Sequence, residues 1–355
     1  MHPDRWEIGS EYHWIGFAAP GDEEPAPWSS GLPVFSGRDA LRMLLAHGVQ
    51  QRGWLRLWVP EYYCQHVAAA LVRPGLELVP YPDHPLRRGP DMPDALPGDA
   101  ILVMNYFGLR EAVHAPRREG VEVIEDHSHD PWSPWARTST ADFCIASLRK
   151  TLPLPDGGAL WSPRLHALPP APRLSPQRRR AAATKLAAMI LKAMYLDGHP
   201  VEKADYRALA LRGERGLAAA GTSAMSDVAR AVLRSFPAES WRRTRAENYG
   251  LLHSLVAGVA GVGWARVLEP AAGAGVPFSF VVVTDSAERR ERVRLRLIER
   301  SVFPAVLWPL ERTLLPVGDE ARGLSRRLLS IHCDGRYGAD DMHRVGDLLV
   351  RVGEP

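Results

Sequence analysis

From residue 36 to residue 126, short apolar runs alternate with helix-forming runs, which restricts the chain to layered α/β architectures. Ser36-Gly37-Arg38-Asp39 gives polar start signals to the helix formers Ala40 to Ala46, which end near Gly48. Leu55 to Val59 reads as a strand stopped by Pro60, Val67 to Leu71 as a helix, and Glu77 to Tyr81 as another strand. The pattern continues with a strand at Ala100 to Asn105, a helix around Glu111 to Glu119 and a strand over Val121 to Ile124. Short apolar strands separated by helices imply a mostly parallel central sheet. Ligands in such sheets bind just beyond the strand carboxyl ends, so Asp126, after Val121-Glu122-Val123-Ile124-Glu125, stands where chemistry is expected.

The remaining chain divides around this sheet. Residues 1 to 34 are rich in Trp, Pro, Glu and Gly and read as an N-terminal arm or irregular cap. Residues 35 to 225 form the large domain with a helical connector, which begins after the prolines between 163 and 176 and carries a helix over Arg179 to Leu196. Residues 226 to 355 carry a long helix, expected from Met225 to about Leu255, and a smaller α+β domain. In that domain we expect a strand at Phe278 to Val283 and helices over Arg289 to Arg300 and Asp340 to Val350. A chain of 355 residues exceeds what one hydrophobic core usually serves, which fits two lobes.

Charge and cysteine usage exclude several classes. The net charge is only +3, and the run Arg178-Arg179-Arg180 has no aromatic or Gly-rich module beside it, so it reads as a solvated helix start and no nucleic-acid partner is expected. Three distant cysteines, Cys64, Cys144 and Cys333, give neither a disulfide framework nor paired zinc-ligand spacing. No metal is expected, and a reducing cytoplasm is the natural compartment. The apolar stretches are interrupted by Lys185, Lys192 or glycines, and the first residues lack an apolar h-region, so neither a membrane span nor a secretion signal is expected.

The most informative stretch runs from Ser147 to Leu160 and sets Lys150 between a strand and the Gly157-Gly158 turn. A lysine that carries a carbonyl cofactor as a Schiff base needs a fixed amine, a hydroxyl or amide near the cofactor phosphate, and turns that admit close backbone approach. Ser147, Lys150 and Gly157-Gly158 offer that set. Asp126, twenty-four positions earlier, can pair with a protonated pyridine nitrogen, although a strand-end aspartate also suits a turn or helix cap. Ser36, Gly37 and Arg38 open a helix whose free amides suit a phosphate. His66, His114 and His253 lie in helical patterns and read as surface or core residues, and His332 and Cys333 as structural.

In order along the chain, these pieces resemble the DegT/DnrJ/StrS family of fold type I pyridoxal-phosphate aminotransferases, over roughly residues 32 to 350. The residues that carry the likeness are Pro60-Glu61-Tyr62-Tyr63-Cys64, Asn105-Tyr106-Phe107-Gly108, Glu125-Asp126 with His129, Lys150 followed by Asp156-Gly157-Gly158, and Met225-Ser226-Asp227. The resemblance implies pyridoxal 5′-phosphate as cofactor and Lys150 as catalytic residue. It implies Ser36, Gly37, Arg38, Tyr62, Tyr63, Asp126, His129 and Ser147 around the cofactor, with the ring-facing aromatic left open among positions 62 to 64. Asn105, Arg149, Trp308 and Arg336 become candidate substrate contacts for a small-molecule amino donor and acceptor. A homodimer with shared active sites is also implied, residues 222 to 226 being the expected cross-chain segment.

The chain departs from the family at two further points. Ile145 stands where a serine often precedes the lysine, and Thr222-Ser223-Ala224 replaces the Asn-Tyr-Arg segment that reaches a neighbouring subunit's phosphate. Together with the apolar segment Val302 to Pro309, this favours a smaller or less charged substrate than a sugar nucleotide. Elimination, decarboxylation or oxygen-dependent chemistry on an amino acid is the alternative with the same cofactor; a non-catalytic small-molecule scaffold is the alternative without chemistry.

Overall fold

The computed structural model describes residues 5–16, 25–113, 118–260 and 264–353. The chain begins with β1 (Ile8–Gly9) and β2 (Leu32–Val34), followed by α1 (Gly37–His47), β3 (Arg56–Pro60), α2 (Gln65–Leu71) and β4 (Glu77–Tyr81). Next come β5 (Asp99–Met104), β6 (Glu122–Asp126), α3 (Pro134–Thr138), β7 (Phe143–Ala146) and β8 (Gly158–Trp161). Strands β2 to β8 form one seven-stranded sheet in the order β2-β8-β7-β6-β5-β3-β4. The five strands β3 to β7 run parallel, β8 runs against them, and β2 at the edge pairs antiparallel with β8. Strands β5 and β7 are buried along their whole length, as expected for apolar runs covered on both faces.

A helical hairpin follows, α4 (Pro176–Leu196) and α5 (Lys203–Ala218), then α6 (Asp227–Arg234) and α7 (Ala238–Ala260). The last part contains β9 (Ala265–Val267), β10 (Phe280–Thr284), α8 (Ala287–Ile298), β11 (Val302–Phe303), α9 (Asp319–Arg327), β12 (Leu328–Ile331) and α10 (Ala339–Gly353). Here β10 is the centre of a three-stranded antiparallel sheet flanked by β12 and β9. Val281, Val283 and Leu328 of this sheet join the same apolar cluster as Leu57 and Leu102 of the large sheet and Leu44 of α1, so the two sheets share packed surface.

Three expectations change. The single helix expected from Met225 to Leu255 is two, interrupted at Ser235-Phe236-Pro237, because a proline ring cannot follow the preceding turn without losing a backbone bond. The segment before residue 35 is more than a cap: β2 extends the large sheet through Val34, which is fully buried, and β1 pairs with β11. Of the helix expected over Glu111 to Glu119, residues 114 to 117, including His114, lie outside the described residues; the flanking residues 111–113 and 118–119 are not helical. Among the described residues no helix is long and apolar enough to cross a membrane.

Candidate active site

The carboxyl ends of β6 and β7 set the site. Asp126 ends β6, and its buried carboxylate accepts two hydrogen bonds, from the Ser128 amide at 2.9 Å and from the Tyr63 hydroxyl at 2.7 Å. Tyr63 lies in the bend after β3. Burial, reinforced by the Asp126 charge, holds its phenol well above the usual tyrosine range, so it stays a neutral donor.

Lys150 closes a short turn, Leu148–Lys150, directly after β7. The turn is tied down on both sides: Ser147 N donates to Ser128 Oγ at 2.9 Å, and Leu148 N donates to the Gly157 carbonyl at 3.1 Å. Gly157 N in turn donates to the Phe35 carbonyl, just before α1. The approach is close enough to require glycine, because a Cβ on Gly158 would lie 2.4 Å from the Ser36 carbonyl carbon and 2.6 Å from Gly37 N. A Cβ on Gly37 would lie 2.9 Å from the Ser147 Cβ. The Gly-Gly turn thus presses the start of α1 against the lysine turn. Ser36 caps α1, accepting from Asp39 N at 3.2 Å and donating to the Asp39 carboxylate at 3.0 Å.

These elements enclose a cavity of about 420 Å³ whose walls include Ser36 to Arg38, Tyr63, Asp126, Ser147, Lys150 and Trp308. Lys150 Nζ lies 5.2 Å from the Trp308 ring centroid. Behind Trp308 sits His129, stacked on Trp308, Phe278 and Phe107 at centroid distances of 5.5, 4.6 and 5.3 Å. Its Nδ1 accepts from Phe107 N at 2.9 Å, which leaves the proton on Nε2, and Nε2 is buried with no partner. Burial, and then the Lys150 charge, push the imidazole well below the usual histidine range, so it is neutral.

The fold is shared with solved structures. TlmJ, an aminotransferase from Streptoalloteichus hindustanus, superposes with a TM-score of 0.66 at 16% identity, over 97% of this chain and 98% of its own. A DegT/DnrJ/EryC1/StrS aminotransferase from Brucella abortus gives 0.59 at 15% identity, over 92% and 86%. The chain has the aminotransferase fold. NtdA from Bacillus subtilis, with the cofactor PMP bound, shares the fold with a TM-score of 0.62 at 15% identity, over 92% and 73%. No family model and no curated protein matches the sequence.

Within this aminotransferase fold, the structure separates the expected residues into two groups. Ser36, Gly37, Arg38, Tyr63, Asp126, Ser147, Arg149, Lys150 and Trp308 line one cavity. Tyr62, Asn105, His129 and Arg336 do not, His129 lying behind Trp308. The bend after β3 turns Tyr62 the other way, where it is fully buried and donates to the Leu307 carbonyl at 2.6 Å. Asn105 is enclosed beneath the strand ends. Arg336 is buried in a bidentate pair with Asp334, both distances 2.8 Å, so its fork already holds a carboxylate from its own chain. Arg149 reaches the cavity but is also paired, with Glu214 of α5 at 2.9 and 2.5 Å.

Residues 222 to 226, expected to reach a second chain, are mostly folded into this one. Ser223 and Ser226 are buried: Ser223 Oγ accepts from Ser175 N, and Ser226 donates to Asp156 and caps α6.

Several wall residues carried no usable sequence signal. Leu211, Glu214 and Arg215 come from α5, which no periodicity marked, and His66 lines the cavity from α2. Tyr12 donates to the Lys150 carbonyl at 3.1 Å from the N-terminal segment. On the opposite face of β6 from Asp126, the donor atoms of Glu125, His127 and Cys144 lie within 4.8 Å of one another, a grouping that cysteine spacing does not reveal.

Proposed function

We propose that this chain is a pyridoxal 5′-phosphate-dependent aminotransferase of the DegT/DnrJ/StrS type, acting on a small metabolite or sugar. The carrying observation is that one cavity joins the Lys150 amine, the buried Asp126 carboxylate and the open amides at the start of α1. His129 contributes a buried Nε2–H without a partner behind the Trp308 wall, next to the cavity and not part of its lining.

When bound, the cofactor supplies an electron sink beside the substrate nitrogen. Lys150 would hold it through its amine, and the same Nζ, when free, would remove and return the proton on the substrate carbon. Asp126, oriented by Tyr63 and the Ser128 amide, would hold the cofactor's ring nitrogen. The α1 amides, Ser147 and Arg38 receive the phosphate. Trp308 gives the cavity an aromatic wall over Lys150 and excludes water from it. A two-fold dimer in the cytoplasm belongs to the proposal, and sedimentation of serially diluted protein tests the dimer.

The central test is spectroscopic. Purified protein mixed with pyridoxal phosphate should develop a visible absorption band, and borohydride reduction with peptide mapping should find the label on Lys150. A panel of amino donors should then bleach that band. A colourless mixture, or a label on another lysine, would refute the reading.

A further inference from the structure

Resting on the cofactor reading above, we propose that helix α5 closes the phosphate end of the cavity from within the same chain, with Arg215 as a further phosphate-positioning residue. The helix is fixed at two points to the two elements that form that end. One point is Arg178 of α4, which is buried, pairs with Asp39 of α1 at 3.3 Å, and donates to the carbonyls of Leu217 and Ala219 at the end of α5 at 2.5 and 2.7 Å. It therefore ties α1, α4 and α5 together. The other point is Glu214, held by Arg149 in a two-bond pair next to Lys150 and by Lys185 of α4 at 3.3 Å. Hairpin packing is tight at the same level, since a Cβ on Gly213 would lie 3.1 Å from Lys185 N.

This anchoring sets Arg215, the residue after Glu214, on the cavity wall. Among the described residues, Arg215 and Arg38 make no ion pair or side-chain hydrogen bond, although both line the cavity. Burial and the neighbouring Arg149 disfavour the charge on Arg38, as expected where cations gather without enough counter-charge. Arg38, Arg149 and Arg215 line the cavity with the Glu214 carboxylate, which Arg149 and Lys185 already share, so positive charge is in excess there. A phosphate monoester near neutral pH carries about −1.5 to −2, opposite in sign to that excess. A second chain need not contribute a cation here, and the 222 to 226 segment has no cationic side chain, with Ser223 and Ser226 bonded within their own chain.

Binding of pyridoxal phosphate and of pyridoxal, which lacks the phosphate, should be compared in wild type, Arg215→Ala, Arg215→Lys and Arg212→Ala. Arg212 lies on the same helix, exposed and off the cavity wall, and serves as the control. Arg215→Ala should weaken pyridoxal phosphate by about tenfold or more, Arg215→Lys should recover part of the loss, and pyridoxal should bind all four alike. Equal phosphate-ester binding by Arg215→Ala would overturn the assignment, whereas a wild type that takes up neither compound would overturn the cofactor reading beneath it. Coexpression of Arg215→Ala with Lys150→Ala settles which chain supplies the arginine. If α5 acts within its own chain, no mixture forms a tight, borohydride-reducible complex; recovery of wild-type affinity in mixed dimers would mean that the arginine crosses to a partner.

Discussion

The hydroxyl of Tyr63 donates to the carboxylate of Asp126 at 2.7 Å, and both groups are buried at the edge of one cavity. The carboxylate thus has a neutral donor of its own before any ligand nitrogen is considered. Tyr63→Phe removes that donor without changing the ring. The variant should lose about 1.5–3 kcal/mol of stability in urea denaturation, the usual cost of a hydrogen bond to a buried charge. Pyridoxal phosphate should restore more stability to Tyr63→Phe than to wild type, because a ring N–H can occupy the vacated acceptor. Equal stabilisation of both proteins would place the ring nitrogen elsewhere.

Asp126→Asn keeps the shape and removes the charge. The expected result is a protein that still takes up cofactor but turns over slowly, since an amide does not favour a protonated ring nitrogen. Steady-state rates with a reactive amino donor, alongside absorption spectra, check this; near-normal turnover would remove Asp126 from the role.

Gly158→Ala tests the contact between the lysine turn and α1. Its Cβ would meet the Ser36 carbonyl carbon at 2.4 Å, so the backbones must part, at a cost of about 1–3 kcal/mol typical of overpacked interiors. Cofactor affinity should fall with stability, because the displaced α1 carries the phosphate-facing amides. A variant with lowered melting temperature and unchanged affinity would separate the two.

Asp156 gives a pH signature. Burial raises its carboxyl from 3.8 to about 6, despite two bonds from Ser226 that favour the charged form. The folded protein therefore binds this proton more tightly than the unfolded chain, and its contribution to stability declines as pH rises from about 4 to about 6. Asp156→Asn should lack that decline. Measured between pH 4 and pH 7, the stability of wild type should drop relative to the variant by about 2–3 kcal/mol and then run parallel to it. A constant difference would show that Asp156 does not titrate in this range.

Strands β3 to β6 were legible because each is a compact run bounded by turn residues, most plainly β5, which is buried along its whole length. Helix α1 was legible through its Ser36 cap. The meeting of Asp126 with Lys150 followed from the same logic, since both stand just past parallel strand ends. Tyr63 could not be told from Tyr62, because the bend after β3 has no period to say which side chain turns inward. The work of Glu214 and Arg215 depends on where α5 docks, and a helix with weak amphipathic character does not reveal its neighbours. Pro33 hid β2 by arguing against a strand, and is accommodated because β2 is an edge strand. Pro237 did announce the break between α6 and α7, and the helical pattern on both sides masked it.

The pairing of Ile8 with Val302 joins residues almost a chain length apart, and Trp308 of the cavity wall follows six residues later. During synthesis, the sheet that bears Asp126 and Lys150 emerges from the ribosome long before either contact exists. A nascent chain that stops short of Trp308 has the lysine and the aspartate but not the aromatic wall over the lysine. The cavity is therefore completed only when the C-terminal lobe has packed against the sheet, late in the maturation of this protein.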